Sequence, residues 1–171
     1  MTEQPAPAAP DEAPVGQEPR ERIFLVVVDE TEEMKNALHF ACRRALHTGG
    51  RVALFYALEP PEFQHWLGVE RVMQEEARQH AEQTLQDLAA KVQAATGKTP
   101  VLYLREGPRR EQLLALLEEE PSISLLVLGI ASGREGPGPL VSYMVAQAQP
   151  IRLPVTLVPG QLSEAEIDAV T

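Results

Sequence analysis

The chain of 171 residues is poor in the residues that support several kinds of chemistry. Cys42 is the single cysteine, so there is no intramolecular disulfide framework, and a reducing cytoplasm is the expected compartment. The plain reading of that thiol is a small apolar residue on a helix. Histidine is sparse and scattered. His39 and His47 share one predicted helix, while His65 and His80 stand apart, so no metal-ligand spacing is present. Unbroken apolar runs such as Ile23 to Val28 are far too short to span a bilayer. Basic charge is also short, with 15 Lys and Arg against 25 Asp and Glu. Without Glu3, Asp11, Glu12, Glu18 and Arg20 at one end and Glu164, Glu166 and Asp168 at the other, 18 acids face 14 bases and leave −4. That balance supplies no basic patch for a nucleic-acid backbone. We therefore expect neither nucleic-acid nor membrane binding.

What is present divides into two acidic ends and an alternating middle. Residues 1–20 carry Pro5, Pro7, Pro10, Pro14 and Pro19 among alanines and acids, a composition expected to stay disordered. They lack the basic start and apolar stretch of a secretory signal, and their acidity is wrong for a transit peptide. Residues 161–171 read as an acidic tail or a short helix. Between them, residues 21–160 form one expected domain. Arg22 to Val28 is a nearly continuous β-branched and apolar run, as in a strand covered on both faces. Thr31 is a candidate N-cap, and Met34, Leu38, Ala41 and Ala45 recur at helical spacing up to Gly49-Gly50.

Val52 to Leu58 is a second strand. A long helix from Val69 to Ala95 follows, with Met73, Ala77, Ala81, Leu85, Leu88 and Val92 on one face. Val101 to Leu104 is a third strand, and Pro108 suits the first turn of the helix carrying Leu113, Leu114, Leu116 and Leu117. Ile123 to Leu128 is a fourth strand, Leu140 to Ala148 a fourth helix and Val155 to Val158 a fifth strand. Long crossovers of one hand make this an open, doubly wound, five-stranded parallel α/β sheet with helices on both faces. Ligands of such sheets bind beyond the carboxyl ends of the strands. Asp29, Glu59 and Gly129 close strands one, two and four, so all three are expected to converge on one cleft.

The most informative segment is Leu125 to Pro139. Four apolar residues enter Gly129, Gly133, Gly136 and Gly138, and a helix start follows. A buried strand entering a Gly-rich turn and a helix N-terminus can cradle phosphate on backbone N–H groups. The plain alternatives stand beside this reading. Gly129 and Gly133 equally serve a tight strand–helix turn, Asp29 equally caps the first helix, and Ser142 equally serves a helix N-terminus. Gly136-Pro137-Gly138-Pro139 suits a mobile loop. Arg134, Arg109-Arg110 and Glu118-Glu119-Glu120 suit solvated surface. Trp66, with Phe63 and His65, either lids the cleft or packs beneath a loop.

Five segments in order, Val26-Val27-Val28-Asp29, Tyr56-Ala57-Leu58-Glu59-Pro60, Glu106-Gly107-Pro108, Leu125-Leu126-Val127-Leu128-Gly129 and Leu153-Pro154-Val155-Thr156-Leu157-Val158, resemble the universal stress protein family. The resemblance spans residues 21 to 159. It implies an adenine-nucleotide alpha hydrolase-like sheet of order 3-2-1-4-5 and a homodimer paired through the last strand, here Val155 and Leu157. It also implies a site for ATP or another adenine nucleotide, with magnesium. The positions that match are Val28 and Asp29, Ala57 under the adenine, and Gly129, Ser132, Gly133 and Ser142 around the phosphates.

The loop departs from the family pattern. Gly133 stands four residues after Gly129 where the family has three, and Val141 replaces a glycine. Pro137 and Pro139 add no N–H donors. Ser124 stands where the family usually has Asp. Enzyme readings find no support, since no Ser-His-Asp, Cys-His or Gly-Lys-Ser/Thr pattern occurs. A phosphoacceptor receiver domain is excluded because strand three ends in Leu104-Arg105 and strand five ends without Lys. Two functions remain. One is a dimeric, non-catalytic stress-response module with a degenerate nucleotide cleft and an unidentified protein partner. The other is a genuine ATP-binding stress protein sensing nucleotide levels.

Overall fold

The computed structural model describes residues 21–60, 67–131, 133, 136–146 and 151–171. Five strands, β1 (Ile23–Val27), β2 (Arg51–Leu58), β3 (Val101–Glu106), β4 (Ile123–Ile130) and β5 (Val155–Pro159), form one sheet. Its order is β3-β2-β1-β4-β5 with every neighbouring pair parallel, as expected. The helices are α1 (Glu32–Thr48), α2 (Leu67–Thr96), α3 (Arg109–Glu119), α4 (Pro139–Ala146) and α5 (Glu164–Val170).

Alternate residues of the central strands face opposite layers, so the sheet carries a core on each side. Phe24, Val26, Val28, Val52, Leu54 and Val127 pack under α1, α2 and α5. Leu25, Val27, Phe55, Ala57, Leu126 and Leu128 pack under α3 and α4. The expected apolar face of α1 is the buried one, and Gly49 ends the helix in the left-handed conformation at φ 67°.

Several boundaries differ from the sequence reading. β1 ends at Val27, and β3 runs on to Glu106 because Tyr56 to Leu58 of β2 continue to pair with Leu104 to Glu106. β4 passes through Gly129 to Ile130, held by β5 as far as Pro159, so Gly129 lies inside the strand and does not close it. In α2 the face divides. Ala81, Leu85, Leu88 and Val92 are buried, whereas Met73 and Ala77 are exposed, because the helix outruns the sheet beneath it.

The final residues form a docked helix. Ser163 and Glu166 make a reciprocal capping box, and Ile167 is fully buried in the core beneath α1. The Asn36 amide donates to the carbonyls of Pro159 (3.1 Å), Gly160 (3.0 Å) and Leu162 (2.8 Å), which fixes the path from β5 into α5. Asp168 receives His39 at 2.8 Å and Arg43 at 2.9 Å. The N-terminal proline-rich residues lie outside the described residues.

Candidate functional site

The sheet order sets β2, β1 and β4 side by side, so Ala57, Asp29 and Gly129 reach one rim. Each is occupied by contacts of the fold. The Val28 side chain is 1% exposed, and its N–H donates to the Phe55 carbonyl at 2.7 Å. Asp29 acts locally. Its Oδ1 accepts the Thr31 hydroxyl at 2.6 Å and the Thr31 N–H at 3.4 Å, in the turn that leads into α1. Thr31 occupies the N-cap of α1 without a side-chain cap bond, since its hydroxyl is turned toward Asp29.

Gly129 is required by the approach of α1. A Cβ there would stand 2.6 Å from the Glu33 carbonyl oxygen and 2.7 Å from its carbon. Gly160 is crowded by the same turn of helix, with the Glu33 Cβ at 2.9 Å. Both glycines therefore let the first turn of α1 lie on the ends of β4 and β5. The backbone closest to Gly129 belongs to the chain itself.

The far side of the loop is also engaged. Val141, at the position where the resemblance places a glycine, is buried with Leu128, Met144 and Leu153. The Ser142 N–H donates to the Gly138 carbonyl at 2.9 Å inside the first turn of α4, which leaves the exposed hydroxyl as its available group. Gly133 is exposed, Gly136 and Gly138 adopt φ of 85° and 89°, and nothing stands within 4 Å of a Cβ at either of these two. Ser132 and Arg134 lie outside the described residues, as do Phe63, His65 and Trp66.

The rim is more charged than the sequence reading anticipated. Glu59 is engaged by the start of α3: its Oε1 accepts the Arg109 N–H at 3.0 Å, and its Oε2 lies 3.9 Å from the Arg109 guanidinium. Arg110 lies over the Tyr143 ring at 4.6 Å, and Arg105 binds Glu119 at 2.6 Å. Arg109, Arg110 and Glu119 are thus tied into neighbouring elements and are not simply solvated helix ends.

Glu30 pairs with His80 of α2; burial, then the Glu30 charge, pushes the Tyr56 phenol up from its ordinary value. No local pattern betrays this cluster, because 50 residues separate Glu30 from His80. Among the described residues no group of His, Cys, Asp and Glu is placed to hold a metal ion, and no helix is long and apolar enough to cross a membrane.

The sequence profile of the universal stress protein family matches residues 21–159. No curated protein matches the chain. Among solved structures, the universal stress protein UspA from Lactobacillus plantarum superposes with a TM-score of 0.69 at 18% identity, covering 82% of this chain and 99% of that one. A universal stress protein family member from Arabidopsis thaliana with AMP bound gives 0.58 at 13% identity, over 81% and 91%. A universal stress protein in complex with cAMP gives 0.53 at 15%, over 83% and 99%. The profile covers the whole sheet from β1 to the end of β5, and α5 lies beyond it. The chain belongs to the universal stress protein family.

Proposed function

We propose that this chain is a non-catalytic, dimeric regulatory module of the stress response, cytoplasmic, whose adenine-nucleotide cleft is degenerate. One observation carries the reading: the groups placed to hold a nucleotide are already engaged by the chain. Asp29 holds Thr31, the backbone of Glu33 fills the space over Gly129, Val141 is a core residue, and the Ser142 N–H closes a helical turn. Asp29, Glu30 and Glu33 bring three negative charges within five residues of chain at the entrance to α1, which disfavours a polyphosphate there.

The fit to an adenine nucleotide is therefore partial. Ala57, buried at the end of β2, offers an apolar seat for a base, and the Ser142 hydroxyl is exposed. These two features, with the AMP and cAMP carried by two structural neighbours, favour the second reading, a nucleotide-responsive stress protein. In that reading Asp29, Gly129 and Ser142 would grip the ligand, and occupancy would follow nucleotide level without turnover.

Isothermal calorimetry with ATP, AMP and cAMP, each with magnesium, separates them. The degenerate cleft predicts no saturable heat at millimolar nucleotide, and micromolar binding of any of the three would overturn it. The dimer reading is supported by β5, which among the described residues is an edge strand paired to β4 alone and bears half-buried Val155 and Leu157. Light scattering at tens of micromolar should give twice the chain mass, and Leu157→Asp should return it to one.

A further inference from the structure

The first turn of α1 is weakly held by its own sequence. Thr31 at the N-cap makes no side-chain cap bond, so the opening N–H groups of the helix lack the partner that a capping side chain gives. Support comes instead from the corner between β5 and α5. Glu33 lies between two glycines: a Cβ on Gly129 would stand 2.6 Å from the Glu33 carbonyl oxygen, and one on Gly160 would stand 2.9 Å from the Glu33 Cβ. The Gly160 N–H donates to the Ile130 carbonyl at 3.0 Å, just past the last paired residue of β5. Asn36, almost one turn beyond Glu33, binds the carbonyls of Pro159, Gly160 and Leu162 with its side-chain amide.

This corner is in turn held down by α5. Ile167 is fully buried in the core on that side of the sheet, and Leu162 packs against the same core. Asp168 receives His39 and Arg43. Asn36, His39 and Arg43 follow one another along α1, so the segment grips that helix from near its first turn to its middle. The family profile stops at residue 159, and the grip comes almost wholly from residues beyond it. An uncapped helical turn frays when its outside support is lost, and the Glu33 backbone would then leave Gly129.

We propose that residues 160–171 are an autoinhibitory strap: docked on α1 they hold its first turn against Gly129, and their release uncovers Gly129 for the single phosphate of AMP. The proposal rests on the reading above that the chain with α5 docked holds no nucleotide. A single phosphate is the class that fits, because Asp29, Glu30 and Glu33 disfavour further negative charge and buried Ala57 offers a seat for the base. The test is a ¹H–¹⁵N correlation spectrum of the full chain titrated with AMP, which reports folding, the docking of α5 and the Gly129 amide together. Ile167→Asp puts a charge into the core and should release α5. Asn36→Ala cuts the tie to α1 while Ile167 stays packed, and it decides the matter if Ile167→Asp does not fold. A strap that keeps the open rim below about a tenth of the population predicts a gain in apparent affinity of at least about tenfold. The Gly129 signal should therefore move saturably in each folded variant, at an AMP concentration lower by that factor than any response of the wild type. Glu164→Ala, at an exposed position of α5, should behave as the wild type. No gain in Asn36→Ala, or an equal gain in Glu164→Ala, would overturn the strap and leave the degenerate cleft standing. Saturable binding of micromolar AMP by the wild type, with the α5 signals unmoved, would overturn the degenerate cleft and the strap with it.

Discussion

Gly129→Ala separates the two roles that this residue can play. The added methyl would stand 2.6 Å from the Glu33 carbonyl oxygen and 2.7 Å from its carbon, and both are backbone atoms of a helix. They cannot rotate away, so either the first turn of α1 lifts from β4 or the strand bends. Overpacking of this kind costs about 1–3 kcal/mol, and a backbone neighbour places the cost in the upper half of that span. Alanine also narrows the unfolded ensemble, which returns about 0.4–1 kcal/mol. A net loss of about 2 kcal/mol follows, or a Tm lower by about 4–8 °C for a domain of this size. Urea denaturation of the nucleotide-free protein, followed by circular dichroism, measures it. A glycine retained only for phosphate would tolerate alanine within about 0.5 kcal/mol in that assay, and such a result would refute the packing argument.

Further outcomes follow from the same contacts. Ile167→Ala should cost about 2–4 kcal/mol in urea denaturation, since its side chain is fully buried between α5 and α1. Arg110→Ala should cost only about 0.5–1 kcal/mol, the worth of a partly exposed cation over the Tyr143 ring. The Ser163 N–H holds the Glu166 carboxyl below the ordinary glutamate range. A lowered folded value means that its contribution is complete at neutral pH and is lost as pH falls through that lowered value. Protection factors of the α5 amides, corrected for the intrinsic pH dependence of exchange, should therefore fall on acidification, and Glu166→Gln should flatten that dependence.

The sheet was legible because its strands are β-branched runs and its helices carry regular apolar spacing with Gly49 and Gly97 as stops. The docking of α5 was legible in part. The sequence left residues 161–171 as an acidic tail or a short helix, and nothing local says that Ile167 would find a core position beneath α1. The overhang of α2 was not legible, because the Met73 to Val92 stripe is continuous in sequence and only the length of β2 decides where it loses its partner.

At the site, spacing located the positions but not their occupation. Asp29 reads alike as ligand or as helix cap, and the structure engages one of its oxygens with the Thr31 hydroxyl in the turn before α1. Gly129 reads alike as cradle or as packing glycine, and the close approach of Glu33 supports the packing role on which the proposed function rests. The partners of Glu59 and Glu30 lie 50 residues away in each case, where no periodicity reaches.

The central claim is that Asp29, Gly129 and Ser142 are committed to the fold and do not hold a nucleotide. A ¹H–¹⁵N correlation spectrum recorded through a titration with magnesium and ATP tests it residue by residue. The account predicts that the amide signals of these three residues stay in place up to millimolar ATP. Saturable movement of all three at micromolar ATP, abolished by Asp29→Ala, would contradict it.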